Sequence, residues 1–106
     1  MKKISLAPYP GTVIVTRDKA EYERLHLKLF GEHDTVHHGV QGRTAFPTRK
    51  SNGHYLVYAG PVKTLAHEFA HVCLEVFSVI AEDPRAGNQE PFCYLMGHLM
   101  GQALKK

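Results

Sequence analysis

The sequence predicts an α+β fold, with a small β-sheet packed on three helices in a single domain that spans residues 1–106. Three observations support this prediction. Short β-branched runs bounded by turn residues indicate strands. Three longer segments with helical apolar spacing indicate helices. The length allows one modest core but leaves no room for a second lobe.

The N-terminal half contains one clear strand and one clear helix. The β-branched run Thr12–Thr16 predicts a strand. Asp18, with Glu21 three residues later, forms a capping-box-like start. A helix is therefore predicted from about Lys19 to Phe30, and Gly31 is expected to end it.

The middle of the chain is predicted to be loop followed by a strand. Residues 31–53 are rich in Gly, His, Thr and Pro, with one short candidate strand at 44–46. Ser51-Asn52-Gly53 is a turn signal. His54–Tyr58 after it has the composition of another strand.

Two helices are predicted in the C-terminal half. The segment from Val62 to about Ile80 is apolar around most of its circumference, which predicts a helix buried at the centre of the domain. Asn88 is a candidate N-cap for a last helix that runs to about Leu104. The two helices are expected to pair antiparallel, with a row of small residues on the last helix allowing close approach: Cys93, Gly97 and Gly101.

Composition and charge argue against several functional classes. The net charge is +3, and much of the excess lies in terminal lysines without a basic stripe and interleaved aromatics, so we expect no nucleic-acid binding. No apolar run approaches the roughly 20 residues that span a bilayer, so we expect no membrane partner. Pro8 and Pro10 cut short the run that imitates a signal peptide, which favours a cytoplasmic protein.

The two cysteines, Cys73 and Cys93, fall within predicted helices. In a reducing compartment they are most simply small, buried apolar residues. Neither belongs to a CxxC pair, so a zinc-ligand role for either is the less favoured alternative.

The most informative segment is His67-Glu68-Phe69-Ala70-His71, an HExxH motif within the long helix. Histidines four residues apart lie on one helix face, where both can bind the same ion and the glutamate can reach a water molecule on it. A catalytic zinc typically takes three protein ligands. Glu90, in the first turn of the last helix, is the best candidate for the third.

This arrangement resembles the zinc peptidases of the gluzincin type, in which a glutamate on the following helix completes the metal site. It is more closely similar to small, mostly phage-encoded HExxH proteins, which also carry a Gly-Arg-Thr stretch, here Gly42-Arg43-Thr44, before the metal helix. The resemblance implies a minimal zincin-like fold, with Zn²⁺ held by His67, His71 and Glu90 and with Glu68 as the catalytic base.

Two departures from known patterns stand out. Thermolysin-like enzymes carry an aspartate one turn after the glutamate ligand, where this chain has Tyr94. We therefore expect the Tyr94 hydroxyl to act beside the ligands or at the developing oxyanion, a role for which Tyr55, Tyr58 and His98 also compete. The metzincin pattern is absent, because Phe77 stands where its third histidine would be.

Other ligand assignments remain open. His98 is the next candidate for the third ligand, and Asp83 is a weaker one. The loop histidines His33, His37 and His38 are more simply solvated side chains than a second metal site, and His26 and His54 are expected at the surface. His67 and His71 would instead be core histidines, or ligands of a structural zinc, if the motif is not catalytic.

The leading functional hypothesis is a zinc-dependent metallopeptidase that hydrolyses a peptide bond in a protein substrate. By resemblance, the strand His54–Tyr58 is expected to hold that peptide at the edge of the cleft. The alternatives are an inactive, zinc-stabilised protein-binding module of phage origin and a hydrolase of cell-wall or other amides. So short a chain is expected to rely on a delivering partner or on a homo-oligomer for specificity, in the host cytoplasm if it is phage-encoded.

Overall fold

The computed structural model describes residues 1–80, 82–83, 85 and 89–106, and it confirms an α+β fold. A four-stranded mixed sheet combines with three helices. In chain order the elements are β1 (Lys2–Ser5), β2 (Thr12–Thr16), α1 (Lys19–Phe30), β3 (Gly42–Ala45), β4 (His54–Ala59), α2 (Val62–Val79) and α3 (Glu90–Leu104).

The sheet has the strand order β1-β2-β4-β3. The two inner strands, β2 and β4, run parallel, with Val13 opposite Tyr55 and Val15 opposite Val57. Each outer strand pairs antiparallel with its inner neighbour. The inner strands are the more apolar, as expected for strands that are covered on both faces.

Helices cover both faces of the sheet because alternate residues of a strand face opposite sides. On one face, Ile14 and Leu56 pack against Tyr22 and Leu25 of α1. The other face packs against α2 and α3 through a larger cluster that includes Val13, Val15, Val57, Phe69, Val72, Val76, Leu95 and Leu99. The site described below lies on this second face.

The caps of α1 confirm the predicted helix bounds, but one half of the predicted capping box is wrong. The Asp18 side chain accepts hydrogen bonds from the amides of Ala20 and Glu21, at 2.9 and 3.4 Å, and Gly31 ends the helix at a φ of 75°. Glu21 does not close the box. Its carboxylate accepts the Thr16 hydroxyl at 2.5 Å, and Thr16 Oγ1 itself accepts the Asp18 amide at 3.1 Å.

Strand β1 was not predicted, because the sequence interpretation treated these residues only as a short imitation of a signal peptide. Lys2 pairs with Val15 and Ile4 with Val13 in an antiparallel ladder. The strand has four residues, and Ile4 is the one that is buried, so the alternation was too short to recognise.

Helices α2 and α3 pack antiparallel, as predicted. The rings of Phe77, near the end of α2, and Phe92, near the start of α3, lie 5.8 Å apart. At the other end, Leu65 of α2 and Ala103 of α3 line the same cavity. The predicted N-cap of α3, Asn88, lies outside the described residues.

The predicted contact through small residues is wrong. A Cβ atom built on Gly97 or on Gly101 would meet no other atom within 4 Å, and Cys93 is exposed. The buried side of α3 instead presents Leu95 and Leu99. The row of small residues therefore faces away from α2.

The bounds of α2 match the prediction, but the helix is not buried all round. Leu74 and Val79 are exposed, and so are both histidines of the motif. No helix among the described residues is both long enough and apolar enough to cross a membrane.

The two cysteines should differ sharply in reactivity. Burial raises the pKa of the Cys73 thiol to about 12, so this group stays protonated and unreactive at neutral pH, while Cys93 is exposed. Mass spectrometry after iodoacetamide treatment of the native protein should find one modified residue, Cys93. The second modification should appear only in denaturant. Fast labelling of Cys73 in the native protein would contradict this packing.

Candidate metal centre

His67 and His71 lie one turn apart on the exposed face of α2, with their ring centroids 4.9 Å apart and their planes at 77°. Their Nε2 atoms are 3.3 Å apart. Two nitrogen ligands at 2.0–2.1 Å from a tetrahedral zinc ion are separated by about 3.3–3.4 Å. The two imidazoles therefore fit one edge of a zinc coordination shell, and they are open to solvent.

Glu68, between the histidines, is buried, with 6% of its surface exposed. The Thr44 hydroxyl on β3 donates a hydrogen bond to Glu68 Oε1 at 2.7 Å. The second oxygen, Oε2, lies 3.9 Å from His67 Nε2. One oxygen is thus fixed to the sheet while the other faces the histidines.

Gly42 allows this close approach of β3 to α2. A Cβ atom on Gly42 would collide with the Thr64 methyl group and would lie 2.7 Å from Glu68 Oε2. The sequence assigns no role at the metal site to Gly42 or Thr44. In the structure, Gly42 leaves room for the Glu68 carboxylate and Thr44 binds it.

A cavity of about 330 Å³ adjoins the histidines and is lined by Gly42, Arg43, Thr44, Phe46, Glu68 and His71. Arg43 is held in place from the other side of the strand. Its guanidinium donates to Asp34 at 2.6 Å, and Asp34 also accepts the Tyr22 hydroxyl at 2.7 Å. These bonds tie the loop after α1 to the strand that forms the cavity wall.

The strand at the edge of this cavity is β3, and the prediction that His54–Tyr58 would form the edge is wrong. Those residues belong to β4, which lies between β2 and β3, so both of its backbone edges are paired. The Gly60 amide donates to the Gln41 carbonyl at 2.9 Å. Because bonding alternates along an antiparallel pair, the backbone groups of Gly42 and Thr44 point to the open edge.

Glu90 and Tyr94, the predicted third ligand and its neighbour, are not brought to the histidines. Both line a separate cavity beside the turn between β1 and β2. The contact between Phe77 and Phe92 places the first turn of α3 beside the end of α2. At 1.5 Å per residue, Glu90 then lies about 12 Å along the axis from the level of His71 and about 18 Å from that of His67.

The other ligand candidates also lie apart from the histidine pair. His98 Nε2 donates to the Ser5 carbonyl on β1 at 3.2 Å, at the opposite edge of the sheet from β3. Asp83 pairs with Arg85 at 3.1 Å, and His33, His37 and His38 are exposed as expected. Within the described parts of the chain, no group of three or more His, Cys, Asp or Glu side chains is placed to hold a metal ion.

The remaining histidines are less exposed than predicted. The ring of His26 stacks on Phe30 with centroids 4.6 Å apart, and its Nδ1 donates to the Glu32 carbonyl at 2.7 Å. The Nδ1 of His54 bonds the Ser51 carbonyl at 2.9 Å in the turn before β4. Both side chains therefore have structural contacts.

Among the four candidates for stabilising an oxyanion, Tyr55 packs on the face of the sheet that carries this site. Its ring meets the edge of Phe46, a cavity residue, at 6.3 Å. Burial raises the pKa of Tyr55 to about 12, with Glu75 adding to the shift, so its hydroxyl remains a hydrogen-bond donor. Tyr58 packs with α1 on the other face of the sheet, while Tyr94 and His98 lie at the separate cavity.

A scan of protein-family models and searches of curated proteins and of solved structures found no match to this chain. The function is therefore inferred from the HExxH motif and from the geometry of its surroundings.

Adding a methyl group at Gly42 should damage the site and the fold together. Gly42→Ala forces the new Cβ against Thr64 and Glu68, so the free energy of unfolding should fall by about 1–3 kcal/mol. Urea unfolding measures this change. Gly97→Ala is the matched control, because it adds a methyl group in open space on a helix and should stabilise by up to about 1 kcal/mol. Equal effects of the two substitutions would contradict the close approach.

Proposed function

We propose that this protein is a zinc-dependent peptidase in which His67 and His71 bind the metal and Glu68 is the general base. The observation that carries the proposal is the 3.3 Å separation of the two Nε2 atoms, with a buried carboxylate beside them. A pair of neutral imidazoles suits zinc, which favours nitrogen and sulfur ligands. Bound zinc supplies Lewis-acid chemistry that polarises a carbonyl and makes water a better nucleophile.

The role of Glu68 follows from its two differently placed oxygens. The hydrogen bond from Thr44 holds Oε1, so the carboxylate cannot rotate away from the cavity. Oε2 is the oxygen that would take a proton from the attacking water and return it to the leaving amine. Fixing one oxygen in advance lowers the cost of orienting the base during the reaction.

The substrate is best accommodated as an extended peptide along β3. The backbone groups of Gly42 and Thr44 point to the open edge and can pair with a strand added there. Such a strand would run past Glu68 and His71, which line the same cavity. Phe46, which is 43% exposed, offers an apolar surface for one substrate side chain.

Glu90 stays a predicted ligand by resemblance only, since the residue lines another cavity. We therefore assign two protein ligands, His67 and His71, to the proposed zinc centre.

A second candidate function, a zinc-stabilised binding module without activity, is favoured by one observation. The Glu68 carboxylate already binds Thr44 and thereby joins α2 to β3, which is a structural use of this group. The two functions differ in whether Glu68 is needed for turnover. A screen with peptide libraries and cell-wall fragments also separates a peptidase from a hydrolase of other amides.

Replacing Glu68 by glutamine should separate catalysis from metal binding. Glu68→Gln keeps an acceptor for Thr44 and both histidines, so zinc content and melting temperature should change little. Peptide hydrolysis should fall by about 10²–10⁴-fold, the usual contribution of a general base. Full hydrolysis by this variant would exclude the catalytic role. Absence of hydrolysis in the unaltered, zinc-loaded protein would instead favour the binding module.

Zinc content should depend on the histidines of α2 and not on His98. His67→Ala and His71→Ala should each lose bound zinc and the increase in melting temperature that zinc gives the native state. His98→Ala is the matched control and should keep both, because this imidazole bonds Ser5 at the far edge of the sheet. Elemental analysis of protein purified without added metal measures the content, and zinc retained by His67→Ala would reject the ligand assignment.

A further inference from the structure

Four lysines that lie far apart in the sequence come together at one place on the surface, which we call the lysine patch. They surround a cavity of about 260 Å³ that lies between β1 and the end of α3. The residues that line it are Lys2, Lys3, Ile4, Gln102, Lys105 and Lys106. The Lys2 ammonium donates hydrogen bonds to the carbonyls of Gln102, at 3.1 Å, and of Lys105, so β1 is fastened to the end of α3.

Nearby acids do not neutralise the lysine patch. None of the ion pairs among the described residues involves any of its lysines, and no described Asp or Glu lines the cavity. The C-terminal end of α3 contributes roughly half a negative charge, which Lys2 offsets through its bonds to the carbonyls there. Lys3, Lys105 and Lys106 are exposed, so their ammonium groups are available to a partner.

The net positive charge of the chain is located in this patch. The chain carries a net charge of +3, but without the four lysines it has nine Lys and Arg against ten Asp and Glu. The rest of the protein is therefore slightly acidic. Such a local concentration of one sign of charge directs oppositely charged partners to a single place on the surface.

We propose that the lysine patch docks an acidic segment of a partner protein, formed by a short run of Asp or Glu side chains. A lysine ammonium is a compact charge on a flexible stem, so it pairs with carboxylates in several positions. The patch therefore recognises the charge of the segment more than its exact sequence.

A nucleic acid fits this patch less well. No aromatic residue is found among the described residues that line the cavity, so bases have no ring to stack on. The neighbouring cavity, which shares Lys2, is lined by charges of both signs, with Asp18 and Glu21 beside Arg17. The positive charge is thus confined to one place and does not form the continuous stripe that a phosphate backbone follows.

The location makes this docking surface independent of the proposed zinc centre. The lysine patch adjoins β1, whereas the histidine pair adjoins β3, and these are the two outer strands of the sheet. A segment docked on the patch leaves the cavity beside Glu68 free. The inference goes beyond the peptidase proposal and does not rest on it.

Binding can be tested with capped hexaglutamate, an N-acetylated and C-amidated peptide. Amide chemical shifts of isotope-labelled protein should change in a saturable way around Lys3, Gln102 and Lys105. The affinity should fall by about tenfold or more between about 50 mM and about 500 mM salt, because exposed charges are screened. Capped hexaglutamine should cause no saturable change. Equal binding of the two peptides, or no saturable change with hexaglutamate, would overturn the proposal.

Two double substitutions separate the patch from the net charge. Lys3→Gln combined with Lys106→Gln should weaken hexaglutamate binding by about fivefold or more, through the loss of two exposed ion pairs. Lys28→Gln combined with Arg49→Gln changes the net charge equally at exposed positions elsewhere and should leave the affinity nearly unchanged. Equal weakening by the two pairs would show that binding follows net charge alone, and the docking surface would then be rejected.

A short polyphosphate tests the choice of partner. Hexathymidylate, which carries a similar charge on a phosphate backbone, should bind more weakly than hexaglutamate at the same salt concentration. Tighter binding of hexathymidylate, lost in Lys3→Gln combined with Lys106→Gln, would overturn the acidic segment in favour of a nucleic acid.

Discussion

The hydrogen bond from the Thr44 hydroxyl to the buried Glu68 carboxylate is the contact on which the candidate metal centre depends. A carboxylate in an apolar core is costly unless its oxygens have donors. Here the donor comes from β3, and Gly42 lets that strand come close enough to supply it. One interaction therefore stabilises a charged group, joins an outer strand to the central helix and orients the motif. The histidines then face solvent because Glu68 faces inward on the same helix.

The two outer strands of the sheet, β1 and β3, have different surroundings. At β1 the outward Ser5 carbonyl is already bound by His98, and Glu90 and Tyr94 line the neighbouring cavity. At β3 the backbone edge is open and lies beside the histidine pair. The residues that the sequence predicts to form one metal centre thus lie near opposite edges of the sheet. The division follows from α2 lying over β3 and β4 while α3 lies over β1.

The local structure was largely predictable, because helix caps and turns depend on residues that are neighbours in the sequence. Asp18 and Gly31 mark both ends of α1, and the turn at Asn52-Gly53, with both residues at positive φ, marks the start of β4. The sequence did not reveal the tertiary order of the strands, in which β4 is an inner strand and β3 an outer one. It also did not reveal β1, whose four residues are too few to show an alternation. The partner of the buried Glu68 carboxylate, Thr44, lies 24 positions away in the sequence, so no local pattern pairs the two residues.

The position of Glu90 follows from the lengths of the two paired helices. Helix α2 continues to Val79, about two turns beyond His71, so the first turn of an antiparallel partner meets the end of α2. A residue deeper in α3 reaches the level of His71, and His98 is such a residue, yet it faces β1. The helix lengths alone imply that the first turn of α3 lies beside the end of α2. Which side of α3 faces β1 depends on the order of the strands in the sheet.

Every residue of the proposed zinc centre lies in the continuous segment Gly42–Val79, which comprises β3, β4 and α2. The contacts within this segment are close in sequence, whereas the parallel pairing of β2 with β4 joins Thr12 to His54. Loop-closure entropy makes such distant pairings slow to form. The order of folding can therefore place the β3–β4 hairpin and α2 first, with the N-terminal strands and α1 docking onto a candidate site that is already assembled.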